Sequence, residues 1–299
     1  MKAEWLLCYK RLMQTVKLNE DGIRLEASEL QDGLLRINVS NRLSRLQRFD
    51  VSCYLLGGVL IDSAFSKAGR LLDSFLRNRE VRAIVCTHNH EDHTGCAGLI
   101  AKRHGCPVYL SQADLAWSEG VGGMPFYRRL WWGRPTPYSP REMPPVIRGE
   151  AAELRVIETP GHSRTHVALW EQQRKLLFAG DLYITPGVTA VMTQENPYQS
   201  VKSLRRAAKL EAAWLYNGHG LMIEDPSEAL LEKADRIEQA ANLVLRLNEK
   251  GLGHRAILRR LFEGGRKRDW LNYLVTRGEF SRLNFVKACI AQQSTGSDN

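Results

Sequence analysis

Thr87-His88-Asn89-His90-Glu91-Asp92-His93-Thr94-Gly95 follows the apolar run Val81-Arg82-Ala83-Ile84-Val85-Cys86. Val, Ile and Cys ahead of it have the composition of a buried strand, and Gly95, Ala97, Gly98, Leu99 and Ile100 behind it read as a packed helix. The stretch therefore sits on a strand-to-helix loop, which aims neighbouring side chains inward from a rigid base. Three His and one Asp fall within six positions. Imidazole nitrogen with carboxylate oxygen is a donor set that Zn²⁺ accepts, as do Fe and Mn. Alternate residues of a regular strand point apart, so His88, His90 and His93 cannot all face one ion from a strand. Two adjacent ions would use them all.

Upstream, residues 1 to 50 alternate poorly and carry many charges, which suggests one or two edge strands with loops. Val51 to Leu56 and Val59 to Asp62 read as strands joined by Gly57-Gly58, a dipeptide that permits the positive φ of a tight hairpin. Ser66 can cap a helix bearing Leu71, Leu72, Phe75 and Leu76 at helical spacing. After the His-rich stretch, Pro107-Val108-Tyr109-Leu110 reads as a short buried strand, giving the strand and helix alternation of an α/β fold. Residues 117 to 150 differ in composition. Six of the eleven prolines fall there, interleaved with Trp117, Phe126, Tyr127, Trp131, Trp132 and Tyr138. Proline imposes an extended or turning path and the aromatics must bury against something. The segment reads as a cap over an active-site mouth, as the contact of a homodimer, or as a loop packed on its own domain.

Further on, Leu154-Arg155-Val156-Ile157 runs into Thr159-Pro160-Gly161-His162-Ser163, a sharp turn that presents His162 at a strand end. Strands over His166 to Trp170 and Lys175 to Ala179 lead to Gly180-Asp181. Asn196-Pro197 is a helix start, with Asn as cap and Pro at the first helical position. The helix runs to about Leu210, and Ala213 to Tyr216 is a strand ending in Asn217-Gly218-His219-Gly220. Asp225-Pro226 repeats the cap signal and opens a helix to about Asn248, with Leu230, Ala234, Ile237, Ala241 and Val244 on one face and Gly251 beyond its end. Short helices follow, with Ser281 as a cap, and Ser294 to Asn299 is a polar, frayed tail.

His88-x-His90-x-Asp92-His93, Thr159-Pro160-Gly161-His162, Gly180-Asp181 and Gly218-His219-Gly220 together resemble the metallo-β-lactamase fold superfamily over about residues 51 to 222. That superfamily includes glyoxalase II, lactonases, nucleases and flavodiiron proteins. The resemblance implies a four-layer αββα sandwich over residues 1 to 222 and a small helical, winged-helix-like extension over 223 to 299. It implies two divalent metal ions, zinc first, with iron or manganese as alternatives. His88, His90 and His162 would hold one ion, Asp92, His93 and His219 the other, and Asp181 would bridge them. His166 lies four residues after His162, where many members also carry a His, and is expected behind the ligands or in the wall of the substrate cavity. Tyr183 and Thr185, just after Asp181, face the cleft if the chain turns there; plain packing is the alternative.

Paired cations lower the pKa of a shared water, and the resulting hydroxide attacks an ester, thioester, lactone or phosphodiester while one ion polarises the electrophilic oxygen. Asp92 serves as a ligand and can also steer that hydroxide or relay a proton. The expectation is a hydrolase of a small, anionic, ester-like substrate, a thioester or lactone. The glutathione-binding tail of glyoxalase II is not recognisable in Arg255 to Lys287. The layout after residue 225 is instead similar to lactamase-like proteins with a C-terminal helical appendage, some of which cleave single-stranded RNA. An endoribonuclease on the same ions is one alternative, and a regulator that keeps its metals is another. Asp92 as a second-site ligand points away from penicillin-type β-lactamases.

The 299 residues suffice for one large domain with an appendage, and 43% hydrophobic residues suffice for its core. The formal charge of +9 favours acidic partners, and between Arg255 and Lys287 nine Lys or Arg stand against three Asp or Glu. A glycine-aromatic nucleic-acid motif is missing, and a solvated basic helix face explains the same charge. Trp5-Leu6-Leu7-Cys8-Tyr9 is short for a signal peptide and is followed by Lys10-Arg11 rather than a cleavage site. No stretch reaches membrane-spanning length, so the expected location is the cytoplasm. The six cysteines form no C-x-x-C pair and read as buried free thiols, with Cys86 and Cys96 beside the His-rich stretch as packing residues.

Overall fold

In the computed structural model the described residues are 15–47, 49–115, 124–262, 270 and 273–293. The Trp5 to Arg11 run, Trp117 and the Ser294 to Asn299 tail lie outside them. The chain forms two compact units, residues 1–156 with 218–221 and residues 157–217 with 222–299.

The first unit is built on an eight-stranded sheet that follows chain order. Its first five strands are β1 (Thr15–Glu20), β2 (Ile23–Glu29), β3 (Leu35–Ser40), β4 (Val51–Leu56) and β5 (Val59–Ile61), with α1 (Arg42–Leu46) between β3 and β4. They pair antiparallel. Three strands thus occupy the region where one or two were expected: β2 and β3 do carry the period-2 alternation of half-buried strands, with Ile23, Leu25, Ala27, Ile37 and Val39 on the buried face. Gly57 and Gly58 turn the β4–β5 hairpin at φ of +53° and +79°. Then α2 (Gly69–Leu76) leads to β6 (Ala83–Val85), and α3 (Glu91–Thr94) with α4 (Ala97–His104) leads to β7 (Val108–Leu110). Strands β5, β6 and β7 pair parallel, as short helical crossovers require. Leu72, Leu76, Phe65, Ile84 and Ile100 are buried in one cluster with Leu25, Ile37, Val51 and Leu60, which fixes both helices against the sheet.

Ser66 does not cap α2. A 3-10 turn over Ser66–Ala68 precedes the helix, and the Ser66 hydroxyl instead donates to the Gly95 carbonyl at 3.2 Å, where it ties that turn to the end of α3. The Pro-rich segment contains more regular structure than its composition suggests: α5 (Phe126–Trp132), then β8 (Arg141–Glu142) parallel to β7, then β9 (Val146–Arg148) antiparallel to β10 (Glu153–Glu158). It packs on its own unit. Trp132 lies 5.2 Å from Phe65 between ring centroids, Asn41 donates to the Trp131 carbonyl, and a Cβ on Gly98 would meet the Thr136 carbonyl at 2.5 Å.

The second unit holds β11 (Val167–Glu171), β12 (Leu176–Gly180), β13 (Val191–Met192), α6 (Pro197–Ala208), β14 (Trp214–Asn217), β15 (Met222–Glu224), α7 (Ser227–Glu249), α8 (His254–Leu261), β16 (Phe280–Ser281) and α9 (Arg282–Gln293). The order is β15, β14, β12, β11, with β12 and β14 parallel and the outer pairs antiparallel. Asn196 caps α6 through both the Tyr198 and Gln199 N–H groups. Asp225 gives no such cap. It adopts φ +46° and Pro226 precedes the helix, so the Asp-Pro pair acts as a turn. Leu230, Ala234, Ile237, Ala241 and Val244 are the buried face of α7. Ser281 accepts from the Asn284 N–H at the start of α9.

Candidate metal centre

In the first unit the donors rise from two strand ends. The chain leaves β6 through the buried Cys86-Thr87-His88 and turns into α3 at His90, whose carbonyl accepts from the His93 and Thr94 N–H groups at 3.0 Å. His88 Nε2 and His90 Nδ1 stand 2.8 Å apart, while His88 Nδ1 lies 3.0 Å from the Thr87 hydroxyl. Asp92, His93 and His219 each bring a donor atom to within 4.8 Å of the others. His219 arrives on the loop after β14, with Nδ1 2.9 Å from the Asp50 carbonyl and its ring against Phe49. That hydrogen bond makes Nδ1 the donor and leaves Nε2 as a ligand atom.

Behind these residues stands Asp62, which composition and spacing do not single out. It ends β5, is 2% exposed and holds φ +57°, a conformation Asp tolerates better than most residues. Its Oδ1 accepts the Thr87 N–H at 2.8 Å and its Oδ2 lies 2.7 Å from His93 Nδ1. One carboxylate thus sets the entry of the His-rich loop and the tautomer of His93. The signal for it is local: an Asp closing an apolar strand that pairs with the strand leading to the ligands. Cys96 packs rather than ligates, its thiol donating to the Phe65 carbonyl, and burial pushes it well above the ordinary thiol range.

In the second unit Gly161 holds φ +146°, and a Cβ there would meet the Ser200 nitrogen at 2.6 Å, so the turn presenting His162 needs glycine. His162 Nε2 lies 3.4 Å from Asp181 Oδ2. Asp181 follows Gly180, where the β12–β14 register shifts and a bulge turns the chain. His166 is 1% exposed. Its Nε2 accepts from the Asp181 N–H at 3.0 Å and its Nδ1 lies 2.8 Å from the Thr159 hydroxyl, so it joins the His162 turn to the Asp181 turn. Tyr183 is buried, its carbonyl accepting from Asn217 and its ring lying 5.1 Å from Lys233 Nζ; Thr185 offers its carbonyl to the same lysine. Glu195 and Lys233 are additions the sequence did not suggest.

The sequence model of the metallo-beta-lactamase superfamily matches residues 46–219, more than half of the chain. The chain belongs to this superfamily. A metallo-beta-lactamase family protein from Thermus thermophilus shares its fold at a TM-score of 0.62 and 21% identity, over 93% of this chain and 95% of that one. A protein solved in a di-iron-bound form is 27% identical, with a TM-score of 0.51 over 60% of this chain and 93% of that one. Among curated relatives, the atrochrysone carboxyl ACP thioesterase of Aspergillus fumigatus is 28% identical over 214 residues, 67% of this chain and 60% of the relative. The hydroxyacylglutathione hydrolase of Bdellovibrio bacteriovorus is 28% identical over 159 residues, 50% of this chain and 57% of the relative. The chain thus spans between about half and three-fifths of the length of the curated relatives it matches. No helix among the described residues is long and apolar enough to cross a membrane.

Proposed function

We propose that this chain is a dinuclear metallohydrolase of a small, anionic thioester or lactone. His88, His90 and His162 would hold one divalent ion and Asp92, His93 and His219 the other, with Asp181 as the shared carboxylate. The observation that carries the reading is the convergence of Asp92, His93 and His219 within 4.8 Å, with His93 fixed from behind by Asp62. The donor set fits a cation. Oxygen and neutral imidazole nitrogen suit zinc or iron, and His88, His93 and His219 each have Nδ1 occupied in the way ligating histidines require. Iron is supported by the di-iron relative, zinc by the nitrogen-rich set.

When bound, the two ions supply a hydroxide near neutral pH and polarise the substrate carbonyl. The protein's own part is orientation. Asp62 and the Asp50 carbonyl set two imidazoles, His166 joins the turns bearing His162 and Asp181, and Asp92 offers one carboxylate oxygen for binding and a second for steering or relaying a proton. Tyr183 would line the substrate side of the Asp181 turn, while His166, buried and bonded at both ring nitrogens, would act on the substrate only by holding that turn. A thioester is favoured by similarity to an acyl-carrier-protein thioesterase and a hydroxyacylglutathione hydrolase, and a negative charge on it by the basic composition.

Elemental analysis of the purified protein, joined to a panel of acyl thioesters, lactones and labelled single-stranded RNA, tests the reading. About two metal equivalents and thioester or lactone turnover, both lost in His90→Ala and Asp181→Ala, are expected. Turnover retained in those variants overturns the ligand set, cleavage of RNA alone overturns the substrate class, and tight metal binding without any turnover points to a regulator.

A further inference from the structure

Glu195 closes the segment between Asp181 and α6, one residue ahead of the Asn196 cap. One of its carboxylate oxygens is held and the other faces an imidazole. Oε1 accepts the Met192 N–H at 2.8 Å, and Oε2 lies 3.5 Å from His162 Nδ1, with the two side chains 14% and 11% exposed. Across the same ring, Nε2 lies 3.4 Å from Asp181 Oδ2. In the metal-free chain carboxylates therefore face both ring nitrogens; once a cation takes Nε2 beside Asp181, Glu195 is the acceptor for the Nδ1 proton. The arrangement is the carboxylate–histidine pairing that sets ligands in metal sites.

The segment bearing Glu195 is fixed by the C-terminal part of the second unit. Val191 and Met192 pair antiparallel with Ser281 and Phe280, and the Thr193 N–H donates to the Glu279 carbonyl at 3.1 Å. Asn284, 5% exposed, shares its amide hydrogens among the carbonyls of Val191 (3.2 Å), Gly278 (2.9 Å) and Glu279 (2.9 Å). A buried amide satisfied three times over by two backbone segments acts as a clamp, because breaking it strands several polar groups.

We propose that Glu195 is a positioning residue that presents His162 to a cation through Nε2, and that residues 278–284 of the C-terminal extension brace the segment that carries it. This rests on His162 and Asp181 being metal ligands. It gives the extension a task inside the site, where length and charge alone suggested only an appendage.

The test uses the full-length chain and zinc alone. Glu195→Gln keeps an oxygen for the Met192 N–H and removes the charge, Glu195→Ala removes both, and Asn284→Ala loosens the brace. Chelator competition is expected to give two zinc equivalents in the wild type, with one weakened about tenfold by Glu195→Gln and up to about 100-fold by Glu195→Ala. Asn284→Ala should weaken the same equivalent by less. The other equivalent should not move in either variant, nor should the metal-free melting temperature of Glu195→Gln, which keeps the Met192 hydrogen bond. In the zinc-loaded protein the His162 Nδ1 proton is expected to exchange slowly with solvent, and to exchange fast in Glu195→Ala. Wild-type affinity at both equivalents in Glu195→Ala, or an equal loss at both, overturns the proposal. A His162 Nδ1 proton that exchanges as slowly in zinc-loaded Glu195→Ala as in the wild type overturns it whatever the affinities do, whereas a wild type that binds no zinc overturns the ligand assignment on which it stands.

Discussion

Arg128, on helix α5 of the proline-rich segment, reaches Glu91 at the first turn of α3 with Nη1 at 3.1 Å from Oε2 and 3.3 Å from Oε1. Their side chains are 11% and 15% exposed. Glu91 therefore needs its partner: burial raises its carboxyl above the ordinary range, and the Arg128 guanidinium is the main influence opposing that rise. The pair anchors the segment one residue from Asp92. Arg128→Ala leaves the carboxylate without its cation in a low-dielectric setting, a loss of about 1–3 kcal/mol. Urea denaturation should show it, and Glu91→Ala placed on top of Arg128→Ala should recover part of it. Equal midpoints for wild type and Arg128→Ala would show that the segment docks by its aromatics alone.

Asp62 offers a sharper test of how the first unit prepares His93. With Oδ2 2.7 Å from His93 Nδ1 and Oδ1 on the Thr87 N–H, it controls both a ring and a loop. Asp62→Asn keeps the size and one acceptor but cannot hold the Nδ1 proton as a carboxylate does. Zinc affinity is expected to fall about 10–100-fold at one equivalent, as for other residues behind metal ligands. Isothermal titration after chelator treatment measures it, and an unchanged isotherm would make Asp62 a folding residue only.

What was legible in the sequence follows the range of the interactions concerned. The family, the β4–β5 hairpin, the capped start of α6 and the buried stripe of α7 all lie in short windows, where spacing and turn chemistry act locally. Asp62 and Glu195 were not legible, since each matters through a His about thirty residues away in the chain. The caps at Ser66 and Asp225 failed for a related reason. Ser66 spends its hydroxyl on Gly95 across the fold, and Asp225 sits in a left-handed turn. Helix α5 was hidden by prolines that flank it rather than interrupt it.

Cys53, Cys96 and Cys289 are buried, and burial pushes each thiol up, that of Cys289 to about 12. Thiolate is the reactive form, so near pH 8 these thiols should resist alkylation in the folded protein. Iodoacetamide followed by peptide mass mapping should leave all three unmodified until denaturant is added. Modification of Cys289 in the folded protein would show that α9 opens readily, since the Cys289 carbonyl also holds the Tyr198 hydroxyl at 3.0 Å.

Lys233 gives a pH signature for the second unit. Desolvation on α7 lowers its pKa from 10.5 to about 8, although Glu195 and Asp181 favour the ammonium. The folded chain therefore releases this proton at lower pH than the unfolded chain does. Between about pH 8 and 10.5 the unfolded state binds more protons, and stability contributed by this group rises with pH; below pH 8 the ammonium is buried at full penalty. Lys233→Met removes the titration. With a chelator present, the stability of the wild type relative to Lys233→Met should rise as pH goes from about 7 to about 10, as read by urea midpoints at each pH. A difference that stays flat, or that falls, would place the ammonium in water rather than over the Tyr183 ring.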